Sequence, residues 1–168
     1  VPVSDGGEGF LSAFQGALGG EMVAVSVRDP LMRRITAHYL VNGTTAVIEM
    51  AQASGLTLLT DEERNPMVTT TYGTGQLVVD AVRRGCRKMV VGLGGSATSD
   101  CGIGMIRAVI DGLAKGGSWR DVRGLDEVRF TIATDVTNPL CGPNGAAHVF
   151  APQKGATQEM VLSLDARA

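Results

Sequence analysis

The first third of the chain alternates between apolar and polar residues in the way that β-strands do. Met22–Val27 alternates weakly, and Ile35–Val41 and Thr45–Met50 are two further strand-like segments. Asn42-Gly43 lies between the last two, and this dipeptide is a strong signal for a tight hairpin turn. The pattern therefore predicts an antiparallel meander.

Apolar residues at helical spacing predict helices before and after this meander. In the first helix, Phe10, Phe14 and Leu18 fall on one face, and Gly19-Gly20 ends the segment. Thr157 is expected to cap the last helix. The segments predicted as helical are Phe10–Leu18, Ala51–Leu59, Gln76–Arg84, Met105–Ile110 and Thr157–Leu164.

Short apolar segments between these helices predict additional strands. Lys88–Leu93 and Val128–Ala133 have the character of buried strands, whereas Asp111–Gly124 is polar and irregular. Val1–Val3 and Ala146–Ala151 are also expected to be strands. Because the chain has neither an internal repeat nor a linker, we expect one α/β domain over residues 1–168, with a mixed sheet and flanking helices.

Composition excludes several classes of partner. The chain has 15 Lys and Arg against 17 Asp and Glu, so it carries no basic footprint for nucleic acid or for an anionic membrane. No apolar run approaches the roughly 20 residues that cross a bilayer, and no signal-peptide pattern is present. The 3 cysteines form neither a disulfide framework nor a zinc-site spacing, which favours a reducing, cytoplasmic location.

The most informative stretch runs from Val90 to Gly104. A strand is followed by Gly94-Gly95, by three hydroxyl-bearing residues and by Asp100, and then by the next helix. Glycines allow backbone N–H groups to approach a ligand closely, and a helix start adds further N–H donors, which together suit a phosphate. The alternative is a tight connection in which Ser99 or Asp100 caps the helix. Neither standard nucleotide-binding glycine motif is present.

Several other loops also combine glycine with carboxylate or hydroxyl groups. They cover residues 5–9, 69–75, 94–102, 135–145 and 152–156. Ligands of open α/β sheets gather beyond the carboxyl ends of the strands, where such loops converge. Phosphoryl transfer needs N–H donors, a cation, a carboxylate for Mg²⁺ and an acidic group near the reacting hydroxyl. The loops would supply them from Asp5, Glu8, Thr74, Ser96, Thr98, Asp100, Asp135, Asn138 and Lys154.

Each of the charged candidates also has a structural interpretation. Asp135 ends an apolar strand and could hold a metal or form an Asx turn before Asn138-Pro139. Lys154 could neutralise phosphate or be an ordinary surface lysine. Asp5 and Glu8 could bind a metal or substrate hydroxyls, or could cap the helix that follows them.

Many of these segments, taken in series, resemble the bacterial type-1 glycerate kinases. The order and spacing match through Ala108 and again from Ile132 onward. The matching segments are Asp5–Gly9, Ala46–Ala51, Ala53–Leu56, Glu63–Pro66, Thr69–Gly75, Gly92–Gly102, Asp135–Leu140, Gly142–Ala146 and Pro152–Ala156.

This resemblance implies a two-domain α/β kinase that uses ATP and Mg²⁺ to phosphorylate D-glycerate, in this family usually at the 2-hydroxyl. The active site would lie in the cleft between the domains, and this chain would be the inserted second domain, with the first domain of the same protein as its partner. Loops 5–9, 94–102 and 135–145 would bind glycerate and phosphate groups, including through Gly6, Gly7, Gly94 and Gly95. Asp135 or Asp5 would be the metal-binding or basic carboxylate.

The chain departs from the family pattern at a few positions, and other functions remain open. Cys101 stands where the family usually has glycine, and the family has a longer glycine-rich stretch between Ala108 and Val128, so residues 109–127 are expected to be discontinuous. One alternative function is a non-catalytic module that binds a small hydroxy acid or a phosphate. Another is a hydrolase with Ser96 as the nucleophile, although the sequence shows neither a GxSxG elbow nor a histidine placed to serve it.

Overall fold

In the described residues, a five-stranded sheet forms the centre of the structure. The computed structural model describes residues 6–114 and 117–168, so the predicted strand Val1–Val3 and Asp5 lie outside the described residues. The strands are β1 (Glu21–Arg28), β2 (Arg34–Asn42), β3 (Thr45–Glu49), β4 (Lys88–Gly92) and β5 (Arg129–Ala133). They stand side by side in chain order. The first three are antiparallel, and β3, β4 and β5 are parallel.

The described part of the chain contains six α-helices. They are α1 (Phe10–Leu18), α2 (Ala51–Ser54), α3 (Tyr72–Arg83), α4 (Ile103–Leu113), α5 (Ala146–Phe150) and α6 (Gln158–Arg167). The predicted mixed sheet with flanking helices is confirmed, and so is the meander with its turn after Asn42. Thr157 caps α6 as expected, since its side chain accepts a hydrogen bond from the Met160 N–H.

The two faces of the sheet are covered by different helices because strand side chains alternate between faces. On one face, Tyr39 and Ile48 pack with Leu77 and Val78 of α3. On the other face, the neighbouring residues Leu40 and Val47 pack with Phe10 and Leu11 of α1. A separate small core joins α5 to α6 through Ala147, Ala151, Val161 and Leu164.

Several predictions of secondary structure need correction. Ala146–Ala151 was expected to be a strand, but residues 146–150 form helix α5, which packs against α6. The segment 51–59 is not one helix: α2 ends at Ser54 and a separate 3₁₀ turn follows. β5 is a strand but is not buried, since it is the outermost of the described strands and its residues Phe130 and Ile132 are 40% and 50% exposed.

Helix α3 begins earlier than its apolar pattern suggests. Gly73, Thr74 and Gly75 were expected to lie in a loop, but they form the first turn of the helix. A Cβ atom on Gly73 would overlap the carbonyl oxygen of Arg28, and one on Gly75 would overlap that of Met105. These glycines therefore allow α3 to lie directly against β1 and α4, an approach that no larger residue permits.

The consequence of this close packing is testable at two glycines in helices. We expect Gly73→Ala to lower the free energy of unfolding by about 2 kcal/mol or more, because the backbone of Arg28 would have to move. Gly16 is the matched control, since it is an exposed position of α1 with no atom near its Cβ position. Gly16→Ala is expected to stabilise the protein by about 0.5–1 kcal/mol through its helix propensity. Urea denaturation of both variants measures the difference, and equal effects would contradict the packing argument.

Candidate functional site

Glycine-rich segments meet at the carboxyl ends of the parallel strands. The N–H of Gly94, just beyond β4, donates to the carbonyl oxygen of Gly6 at 3.0 Å. Gly6 has a φ of +93°, and a Cβ atom there would lie 2.8 Å from the carbonyl oxygen of Ala133 at the end of β5. The segment that begins at Gly6 therefore crosses the ends of β4 and β5, as the convergence of loops predicted.

The Asp100 carboxylate organises the turn that follows β4. Its two oxygens accept hydrogen bonds from the N–H groups of Gly102 and Gly104, each at 3.1 Å. They also accept from the N–H of Thr71 at 2.8 Å and from its hydroxyl at 2.9 Å. The hydroxyl of Thr71 in turn accepts from the N–H of Met105 at 2.9 Å. Asp100 thus caps α4 and ties the start of α3 to the start of α4.

These contacts change which donors are available for an anion. The first N–H groups of α4 are bonded within the protein, so the helix start does not offer the free donors that the sequence suggested. In the part of the chain that the structure describes, the N–H groups of Ser96, Thr98 and Ser99 have no acceptor. The donors open to a ligand therefore lie in the turn before the helix.

Lys154 is the cation of this turn. It is only 7% exposed, so the interpretation as a surface lysine does not hold. Its Nζ donates to the Ser96 hydroxyl at 2.8 Å and to the carbonyl oxygen of Thr98. Burial lowers the pKa of Lys154 to about 8, against the opposing effect of the Asp100 charge. The short 3₁₀ turn at 152–154 brings this side chain to the loop after β4.

A cavity of about 440 Å³ opens beside Lys154 and brings together five of the predicted site residues, namely Thr74, Ser96, Thr98, Asp100 and Lys154. Thr74 is buried, and its hydroxyl shares a 2.8 Å hydrogen bond with that of Ser54. The remaining walls are largely apolar and include Val91, Leu93, Phe130, Ile132, Leu140 and Phe150. The cavity thus combines one buried cation and several hydroxyl groups with apolar walls.

Other predicted site residues lie outside this cavity. Glu8, Asp135 and Asn138 are exposed. The Asn138 side chain donates to the carbonyl oxygen of Asn144 at 3.0 Å, which holds the 138–144 loop. The Asp135 carboxylate has no hydrogen-bond partner within residues 6–114 and 117–168, so the Asx-turn alternative is not formed there. Gly95 is exposed in the turn, with a φ of +72°.

Two features of this region were not assigned from the sequence. Glu49 ends β3 with 2% exposure, and its carboxylate accepts from the Leu11 N–H at 3.1 Å and holds the start of α1. The sequence signal that could have identified Glu49 is its position as the carboxylate that ends an apolar strand. Cys101 has a φ of +52°, the left-handed conformation that favours glycine, so the departure from the family pattern falls where glycine is best suited. No cluster of three metal-ligating side chains occurs among the described residues.

The burial of Lys154 predicts a pH-dependent stability. Between about pH 8 and the ordinary lysine value of 10.5, the unfolded chain binds more protons at this site than the folded chain does. The contribution of Lys154 to the free energy of unfolding should therefore rise with pH across this window.

Urea denaturation between pH 7.5 and 10.5 measures the effect. Lys154→Met should show a smaller increase with pH than the wild-type protein, whatever its absolute stability. The exposed Lys88 supplies a matched variant, Lys88→Met. Parallel pH curves for Lys154→Met and the wild type would contradict the assignment.

Comparison with known proteins adds an independent observation. A family model described as the glycerate kinase family matches residues 1–115 and 118–168. The glycerate kinase of Halalkalibacterium halodurans is 44% identical over 185 aligned residues, with 98% of this chain and 49% of the relative covered. The glycerate 2-kinase of Escherichia coli K12 is 42% identical, and the alignment covers 98% of this chain and 49% of that protein.

A crystal structure from Salmonella typhimurium LT2, assigned as a glycerate kinase 2, has the same architecture. It superimposes with a TM-score of 0.86 and 39% identity over 98% of this chain and 50% of the other. The chain thus spans about half the length of these relatives. The family predicted from the serial motifs is confirmed: the chain belongs to the glycerate kinase family.

Proposed function

We propose that this chain takes part in the ATP-dependent phosphorylation of D-glycerate to 2-phosphoglycerate. Family membership supports the reaction class, and the Escherichia coli relative is named a glycerate 2-kinase. The observation that carries the proposal is the buried Lys154, held against a turn with free N–H donors at the carboxyl ends of the parallel strands. Because the chain spans about half of its relatives, we expect turnover to require the first domain of the same protein, in the cytoplasm.

The turn after β4 would bind the phosphate groups and stabilise their negative charge. An ammonium group has three N–H donors, and two of those on Lys154 are used by Ser96 and Thr98. The third donor, with the N–H groups of Ser96 and Ser99, is left for phosphate oxygens. Donors that are already in place stabilise the charge that develops during phosphoryl transfer without further rearrangement.

The reacting hydroxyl needs a carboxylate to accept its proton. In the proposed step, the 2-hydroxyl oxygen of glycerate bonds to the terminal phosphorus of ATP while the bond to the ADP oxygen breaks. The hydroxyl proton passes to Asp135 or to Asp5. Asp135 is suited to this role because its carboxylate is exposed at the carboxyl end of β5 and has no partner within the described residues.

The same carboxylate also fits a magnesium ion. Mg²⁺ is usually held by one or two carboxylates together with substrate phosphates, so a cage of protein ligands is not needed. Mg²⁺ bound with the nucleotide would neutralise phosphate charge. Asp135 supplies such a carboxylate, and Asp5 is a second candidate.

The proposal is tested by measuring ATP consumption with D-glycerate and Mg²⁺. Two proteins are compared: this chain, and a chimera in which it replaces the matching half of the Escherichia coli relative. We expect turnover in the chimera alone, with 2-phosphoglycerate as the product. A folded chimera without turnover would refute the proposal and leave a binding module for a hydroxy acid or a phosphate.

Within the chimera, Asp135→Asn should lower kcat by about 100-fold or more, because the amide neither accepts the proton nor provides a charged ligand. Asp126→Asn is the matched control, since Asp126 is also an exposed aspartate and lies on the other side of β5 in the chain. Steady-state kinetics measure both variants. An effect of the same size in both would show that Asp135 has no specific role.

One observation favours a second candidate, a serine hydrolase. The 2.8 Å contact between Lys154 and Ser96 supplies the basic partner that the sequence did not show. Ser96→Ala separates the two functions. A hydrolase would lose all turnover of an activated ester such as p-nitrophenyl acetate, whereas the phosphate site would only bind nucleotide or glycerate several-fold more weakly.

A further inference from the structure

The walls of the cavity beside Lys154 do not match D-glycerate. They are formed mainly by apolar side chains, including Leu93 after β4, Phe130 and Ile132 of β5 and Phe150 of α5. Glycerate carries two hydroxyl groups and a carboxylate on three carbons, so most of its surface needs hydrogen bonds. Placed against these walls, it would lose contacts with water and gain none in return.

The polar groups of the cavity come from a small part of its lining. Lys154 and the turn at 96–100 supply a cation, hydroxyl groups and the N–H groups of Ser96, Thr98 and Ser99. A ligand that fits this lining has an apolar body attached to an anionic group. The volume, about 440 Å³, lies within the usual range for small-molecule sites and is large for a three-carbon acid.

We propose that this cavity is the nucleotide site, with the purine base against Phe130, Ile132 and Phe150 and the phosphates toward Lys154. The inference rests on the proposed function, which requires a nucleotide and a hydroxy acid but does not say where each binds. A purine offers flat apolar faces that suit aromatic and aliphatic walls. The phosphates then meet the buried cation and the free N–H donors.

The hydroxy acid is thereby assigned to the polar surface outside the cavity. Glu8, Asp135 and Asn138 are each exposed, and none of them lines the cavity. Their carboxylate and amide groups match the hydroxyl groups of glycerate. Both ligands would then bind near the carboxyl ends of the parallel strands, the nucleotide over apolar side chains and the acid over polar ones.

The assignment is tested with Ile132→Asn, which makes the base-binding wall polar without adding charge. Ile132 is 50% exposed on the outermost strand, so the fold should tolerate the change. Ile106→Asn is the matched control, because Ile106 is 54% exposed on α4 and lies outside the cavity. Calorimetry on each folded protein measures the Kd values of ADP, tripolyphosphate and D-glycerate.

We expect Ile132→Asn to weaken ADP binding about 10-fold and to leave tripolyphosphate and glycerate within about 2-fold of the wild type. The control should change none of the three. Weaker glycerate binding with unchanged ADP binding would overturn the assignment and place the acid in the cavity. Absence of ADP binding to the folded wild-type chain would overturn it as well. Turnover by the chimera is a separate measurement. The binding results therefore test the position of the nucleotide and do not test the proposed kinase activity.

Discussion

The Asp100 carboxylate is the contact on which this end of the molecule depends. It accepts hydrogen bonds at the starts of two neighbouring helices. Thr70 and Thr71 donate from just before α3, and Gly102 and Gly104 donate from the start of α4. Because a partly buried carboxylate loses water contacts, these charge-assisted bonds replace what hydration would supply. Asp100 thus fixes the end of the turn, while Ala97, between the Lys154 partners Ser96 and Thr98, is held by the Ser54 carbonyl oxygen and the Thr69 hydroxyl.

Local signals predicted the central part of the fold. Asn42-Gly43 specified the hairpin because few dipeptides adopt its turn, and the spacing of Phe10, Phe14 and Leu18 specified α1. A short apolar segment such as 146–151, however, fits a helix or a strand equally well, and its packing against α6 decided the outcome. The exposure of β5 could not be predicted from its own residues either, because it follows from the position of β5 at the edge of the described sheet.

For the candidate site, the sequence indicated which loops would lie close together and left the roles of their side chains open. Glycine and hydroxyl content indicated the turn after β4, and the strand order brings it close to the segment at Gly6. The burial of Lys154 could not be predicted, because it depends on contacts with Ser96 and Thr98. These residues precede it in the chain by 58 and 56 positions. From the sequence, the start of α4 was expected to bind an anion. In the structure, the side chains of Asp100 and Thr71 already accept hydrogen bonds from its N–H groups.

The order of the strands has a consequence for how the protein is made. Each strand pairs with the one before it in the chain, so a growing polypeptide extends the sheet at one edge as synthesis proceeds. The meander of β1, β2 and β3 precedes β4 and β5 in the chain and is therefore synthesised before them. Lys154 is synthesised 58 residues after Ser96 and after all five strands, so its contact with the turn can form only once the strands have been made. Leu164 and Ala168 also line the cavity and follow all five strands in the chain, so the cavity beside Lys154 gains its full lining only after every strand has been synthesised.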